Sequence, residues 1–303
     1  MKKYLDIARL KKKYLNKFEV GDKICVTEKV DGANASFTYD PVTNETIAFS
    51  RNKQLDSSNT LRGFYEWTQQ LDQEIVRDLT DCGRYIIFGE WLVPHTVHYP
   101  EQAYNKFYMF DIYDTVKKEY MPQDFTWGKY YLVRGFDSKM EFVPRLYSGN
   151  FTNWEMLMDI VGTTKLGAEP CGEGIVIKNQ SKLNSENSYI KIVSSQFSEV
   201  KGAKKVKEVS PEDLAKKKEE EDSVKTIVTR RRVEKILEKL VDEGIITENW
   251  DEKDLGIISK NITKLVYEDC RKEEPEVVLK NKKFGKICAK VTMGIVKEIL
   301  SER

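Results

Sequence analysis

The hydrophobic period of this chain changes near residue 200, and that change limits the possible folds more than any other feature. Before it, short runs alternate apolar and polar residues, as "DKICVTEK" does from Ile24 to Glu28 in the manner of a half-buried strand. "ANASFTY" follows, "DPVTNE" supplies a turn, and "ETIAFSR" returns. "RYIIFGEW", "FYMFDIYD", "GEGIVIKN" and "SYIKIV" read as buried strands, while residues 61–79 carry helical spacing. After it, Ser210 is placed to cap a helix, with Pro211 at its first position and Asp213 in its first turn. An apolar stripe of Val224, Ile227, Val228, Ile236, Leu237, Leu240 and Val241 runs until Gly244, and helical runs recur over 255–270 and 286–301. The expectation is an α+β domain over residues 1–200 followed by a small all-α domain over 201–303.

Length and composition agree with two domains, since 303 residues with 40% hydrophobic content can bury two cores. No run approaches the roughly 18 apolar residues of a membrane helix, and "MKKYLDIARLKKKYL" is too charged for a signal peptide. A soluble, cytoplasmic protein without a membrane partner is expected. Five cysteines at 25, 82, 171, 270 and 288, with no CxxC pair, point to reduced thiols. His95 and His98 lie between Pro94 and Pro100 without further metal ligands nearby, which suits a loop or substrate contact better than a metal site. Basic and acidic residues nearly cancel, 50 against 49, so local clusters matter more than the total. "TRRRVEK" concentrates three arginines, either a solvated helix face or a contact for a polyanion.

The segment "EKVDGAN", residues 28–34, sits between two strand-like runs and sets Lys29 beside Asp31 and Gly32, with Asn34 two residues on. Alone, a lysine before an Asp-Gly turn is commonplace. Here it is followed in order by Arg51 in "SRNK", Glu90 in "FGEW", Phe110 in "FYMFD", Glu173 in "EGIVIK" and Lys191 in "YIKI". Together these motifs resemble those of the covalent nucleotidyltransferases, the ATP-dependent ligases and capping enzymes, and match the RNA ligase 2 family best. The resemblance covers about residues 20–200 and extends through "SSQFSEVKGAKK". It implies a two-domain α+β fold: a nucleotidyltransferase (ATP-grasp-like ligase) antiparallel-sheet domain, then the helical domain.

The implied chemistry is a covalent relay in which a lysine amine takes AMP from ATP, AMP passes to a 5′-phosphate, and a 3′-hydroxyl displaces it. Lys29 would be the nucleophile. Attack needs the neutral amine, whereas an ordinary lysine keeps its proton to about pH 10. Asp31 opposes deprotonation, and Glu28 points to the opposite face if strand alternation holds. The resemblance places Glu28, Lys29, Asn34, Arg51, Glu90, Phe110, Glu173, Lys178 and Lys191 around the nucleotide. Glu90 would hold the ribose, Phe110 would stack on adenine, and Arg51 would grip phosphates. Glu173 would serve metal-dependent transfer with Mg2+ or Mn2+, and Lys178 and Lys191 would neutralise the α-phosphate.

Two features turn the expectation toward RNA. DNA ligases and capping enzymes usually have arginine where this chain has Asn34, and they carry a β-rich domain where this chain reads as helical. Asp31 departs from the histidine frequent in the RNA ligase 2 family, and Val193 stands where a second motif lysine is common. The expected activity is sealing of 3′-hydroxyl and 5′-phosphate ends at nicks in duplex RNA or RNA-containing hybrids, by a monomer, either cellular or phage-encoded and acting in a host cytoplasm. A DNA ligase of the same superfamily and a nucleic-acid-binding relative without catalysis are the alternatives, Val193 favouring the latter. "TRRR" is the candidate RNA contact of the helical domain.

Overall fold

The computed structural model describes residues 2–194, 220–281 and 283–303. The chain divides into two compact units, Met1–Gln196 and Phe197–Arg303. Strands of the first are β1 (Ala8–Arg9), β2 (Lys23–Glu28), β3 (Ala33–Asp40), β4 (Glu45–Ser50), β5 (Tyr85–Trp91), β6 (Phe107–Asp114), β7 (Glu119–Tyr120), β8 (Met140–Phe142), β9 (Arg145–Asn150), β10 (Gly174–Asn179) and β11 (Tyr189–Val193). They form a five-stranded sheet in the order β1-β11-β10-β2-β9 and a six-stranded sheet β4-β3-β5-β6-β7, with β8 added beside β6. Pairing is antiparallel except at β1/β11 and β6/β8.

Each sheet has its own apolar packing. Ile24, Val26, Ile175, Ile177, Ile190 and Ile192 of the five-stranded sheet pack against Phe18, Phe151 and Leu157. On the other sheet Trp67 stacks on Trp91 at 5.5 Å and on Phe107 at 5.6 Å, beneath the helix Phe64–Gln70. Rings of this size bury large apolar areas and anchor the helix to the sheet. The expected helix over 61–79 is two helices, Phe64–Gln70 and Gln73–Leu79. The break falls at Asp72, whose carboxylate caps the second helix through the Glu74 and Ile75 amides.

One strand departs from its expected exposure. The alternation in β2 predicts a half-buried strand, yet Ile24, Cys25, Val26, Thr27 and Glu28 are all buried. Ile24 and Val26 face the apolar cluster. Cys25 sits near Gln123, which also bonds Asp111 of the second sheet, so the polar face is covered by the other half of the unit.

The second unit is helical, with helices Arg230–Asp242, Leu255–Glu273, Pro275–Lys280 and Phe284–Ser301 among the described residues. Its core contains the expected stripe members Val224, Ile227, Val228, Ile236, Leu237 and Leu240, with Val241 at the margin. The stripe does not lie on one continuous helix: Thr229 caps a new one by accepting from the Arg232 amide. Gly244, at φ +64°, follows where the helix ends. The capping expected at Ser210, Pro211 and Asp213, and the motif continuation beyond residue 194, lie outside the described residues.

Candidate active site

The turn from β2 to β3 carries Lys29 out of the strand with its amide bonded to the Gly174 carbonyl at 2.9 Å. This bond lays the residue against the start of β10. Lys29 Nζ then donates to Glu173 Oε2 at 2.5 Å, across 144 residues of sequence. The lysine side chain is 18% exposed and the glutamate 4%, so the amine stands at the edge of the structure while its partner is enclosed.

Two glycines make this approach possible. A Cβ on Gly32 would lie 2.6 Å from the Trp91 carbonyl oxygen, and one on Gly174 would lie 2.1 Å from that of Ile192. Backbone is in contact with backbone at both points, so any side chain would push the lysine turn or β10 away.

Asp31 has a different task from the one its place in the motif suggests. Its carboxylate accepts the Thr96 and Val97 amides at 2.9 and 3.0 Å and has the His95 imidazole 3.8 Å away. Its own amide donates to the Tyr99 hydroxyl at 3.0 Å. Asp31 thus also organises the 94–99 loop. His95 and His98 are parts of this loop: His95 faces Asp31, and the His98 carbonyl accepts the Glu169 amide.

Glu90 and Asn34 sit side by side, paired across β5 and β3. Glu90 Oε1 accepts the Gly32 amide at 3.2 Å. Desolvation pushes the Glu90 carboxyl up to about 7, against the fields of Lys29 and His95. Glu28, fully buried, accepts from the Thr164 hydroxyl at 2.7 Å and the Lys165 amide at 2.8 Å, and burial raises its pKa. It is thus tied to the 164–166 loop, away from the Lys29 amine, as strand alternation requires.

Lys178 is not brought to the Lys29–Glu173 pair. Four residues of strand separate it from Gly174, about 13 Å of rise. Its ammonium lies 3.0 Å from Asp111 and 2.7 Å from the Phe110 carbonyl, between the Phe110 and Tyr189 rings, and is 1% exposed. Asp111 also accepts from Tyr4, Gln123 and Tyr189 at 2.5, 2.7 and 3.2 Å, and burial raises its pKa. Phe110 is half-buried and packs on Tyr4 at 4.9 Å. Arg51, just past β4, pairs with Asp6 rather than with the reactive pair. Lys191 lies on β11 opposite Val176, and Val193 opposite Gly174, so the residue replacing a motif lysine is next to Glu173.

Asp111 and Tyr4 escaped the sequence reading. An aspartate inside the apolar run "FYMFDIYD" was the available signal for the first, because a buried acid demands partners. For Tyr4 there was none. In the helical unit, Arg230 is clasped by Glu302 at 2.7 and 2.6 Å and by Glu234, and Arg232 is fully buried against Asp269 and the Ile227 carbonyl. Two of the three arginines in "TRRR" are thus engaged by partners within the unit.

Lys29 and a buried glutamate thus meet beside neighbouring strands of the five-stranded sheet, with a second carboxylate held at the same turn of an α+β scaffold. The RNA ligase family profile matches residues 22–193, and the chain belongs to that family. No curated protein matches it. Solved structures of Naegleria gruberi RNA ligase are similar: an apo mutant at 19% identity and TM-score 0.49, and the protein with PPi at 20% and 0.48. A mutant with ATP and Mn gives 19% and 0.47. Each alignment covers 65% of this chain and 57% of the other, so this chain spans little more than half the length of those proteins.

Proposed function

We propose that this protein is an ATP-dependent RNA ligase that joins 3′-hydroxyl and 5′-phosphate ends, at nicks in duplex RNA or RNA-containing hybrids. The observation that carries this reading is the contact of Lys29 Nζ with Glu173 within the segment matched by the family profile.

In this reading Glu173, in contact with Lys29, takes its proton as the nitrogen lone pair attacks the α-phosphorus of ATP. An N–P bond forms, the bond to the β-phosphate oxygen breaks, and pyrophosphate leaves. The 5′-phosphate of the nick then displaces Lys29, which recovers a proton, and the 3′-hydroxyl expels AMP. Asn34 on the turn's outgoing strand and Glu90 opposite it on β5 suit ribose and phosphate contacts. Phe110 supplies an aromatic edge for the base, and Lys191 a cation from β11. Lys178 supports Phe110 from beneath through its carbonyl and ring.

Among the described residues no three His, Cys, Asp or Glu side chains gather to hold a metal. Mg2+ or Mn2+ would take Glu173 as its protein ligand and find the rest in triphosphate and water, supplying charge neutralisation at the phosphates. Such a divided ligand set suits a hard cation that retains its hydration.

Incubation with α-labelled ATP and magnesium is expected to give an acid-labile protein–AMP adduct. A Lys29→Ala variant that still took the label would overturn the assignment. Sealing of nicks whose 3′-hydroxyl strand ends in ribonucleotides is expected to outpace sealing of all-DNA nicks; equal rates would favour the DNA ligase alternative.

A further inference from the structure

We propose that the outer face of the Gln123–Val133 helix, with Arg145 beside it, is a stacking platform for a single-stranded stretch of polynucleotide. Trp127 and Tyr131 are four residues apart and so share one helix face, 38% and 51% exposed. The Arg134 guanidinium lies 3.5 Å from the Tyr131 ring centroid, and that of Arg145 lies 5.1 Å from the Trp127 ring centroid. A guanidinium group therefore flanks each of the two rings. Leu132 and Phe136, 72% and 67% exposed, extend its apolar margin.

Exposed aromatic residues are common singly and carry nothing by themselves. Charge decides the occupant here. Neither Arg134 nor Arg145 forms an ion pair among the described residues; Arg134 is exposed, whereas Arg145 Nε and Nη2 are buried without a hydrogen-bond acceptor. Of the nearby acids, Asp137 is engaged by the Trp67 indole and the Lys139 amide, and Glu141 by Tyr130 and Lys106, leaving Asp124 at the helix start. An exposed, unpaired guanidinium group at the end of a pair of flat rings matches a phosphate beside stacked bases. It does not match a second copy of the same cationic strip.

The strip also ends in the right place. Arg145 lies opposite Thr27 on β2, two residues before Lys29, roughly 8 Å away by strand spacing. A strand bound there reaches the reactive end of the turn. The surface rests on the ligase reading only for the identity of the polymer as RNA.

The test uses the whole protein and a short, unstructured, fluorescein-labelled RNA, followed by anisotropy over a salt series. Tyr131→Ala is expected to weaken binding about tenfold. Arg134→Gln is expected to lower the slope of log affinity against log salt by about 0.7. Both variants are expected to take up AMP at the rate of the unmodified protein. Unchanged affinity and slope in both would overturn the platform. So would a dimer that Tyr131→Ala dissolves at constant RNA affinity, seen by light scattering. Weakened RNA binding in a protein that never takes the AMP label would uphold the surface and sink the ligase reading instead.

Discussion

Two lysine–carboxylate pairs in the same unit teach opposite lessons. Lys29 and Glu173 meet at 2.5 Å at the mouth of a strand turn, with the lysine 18% exposed. Lys178 and Asp111 meet at 3.0 Å with exposures of 1% and 0%, and both are further bound by a carbonyl, two tyrosine hydroxyls and a glutamine amide. The second pair is enclosed and its hydrogen-bonding capacity is filled by neighbours from both sheets, so it holds the sheets together. The first joins an enclosed carboxylate to a more accessible amine, the contact on which the proposed proton transfer rests. Burial and the number of partners, rather than the presence of a pair, separate chemistry from scaffolding.

The largest expected effect tests the reactive pair. Lys29→Arg should keep the contact with Glu173 yet abolish AMP uptake from labelled ATP, because a guanidinium cannot become a neutral nucleophile at working pH. Uptake at any rate near the parent's would erase the contrast between the two pairs. Next is Lys178→Met, which leaves Asp111 buried without its cation and should cost about 3–5 kcal/mol in denaturant unfolding. Adding Asp111→Asn should recover part of that loss.

Glu90 offers a smaller and pH-dependent effect. Its carboxyl rises from 4.5 to about 7 on folding, so the folded protein binds this proton more tightly than the unfolded chain. Its contribution to stability is greatest below about pH 4.5 and is lost as pH climbs through 7. Comparing parent and Glu90→Gln in denaturant at pH 5 and pH 8 should show the parent losing about 2 kcal/mol more across that interval, after a discount for partial solvent access. A parallel pair of profiles would remove the argument that this carboxyl is desolvated. The smallest effect belongs to an exposed pair: Arg230→Ala, which breaks the contacts with Glu302 and Glu234, should cost less than about 1 kcal/mol. It should leave the salt dependence of RNA binding unchanged, in contrast with Arg134→Gln.

The outline of the fold was legible because periodicity reports local geometry. The runs around Ile24, Phe88, Phe110 and Ile177 are strands, and the stripe from Val224 to Leu240 enters a helical core. The reactive turn was legible because its residues are adjacent, and Gly32 leaves the only width that the Trp91 carbonyl allows. Other placements were hidden. Alternation could put Lys178 on the inner face of β10 without naming Asp111 as its counterpart. "TRRR" looked like an open basic surface until Glu302, 72 residues from Arg230, closed over it. Arg51 met Asp6 for the same reason: exposed charges settle on whichever partner the fold brings within reach.

Local order along the chain was enough to determine most of the strands and helices and which lysine stands in the turn, whereas the need for a residue lacking Cβ after Asp31 came from the Trp91 carbonyl across the fold. Tertiary structure alone decided which acid each cation meets. Glu173 comes to Lys29 because β10 pairs with β2 across a long loop, and Asp31 is drawn off by the amides of Thr96 and Val97. Spacing encodes steric and hydrophobic preferences over a few residues, whereas proton affinity and nucleophilicity depend on charges a few ångströms away through space.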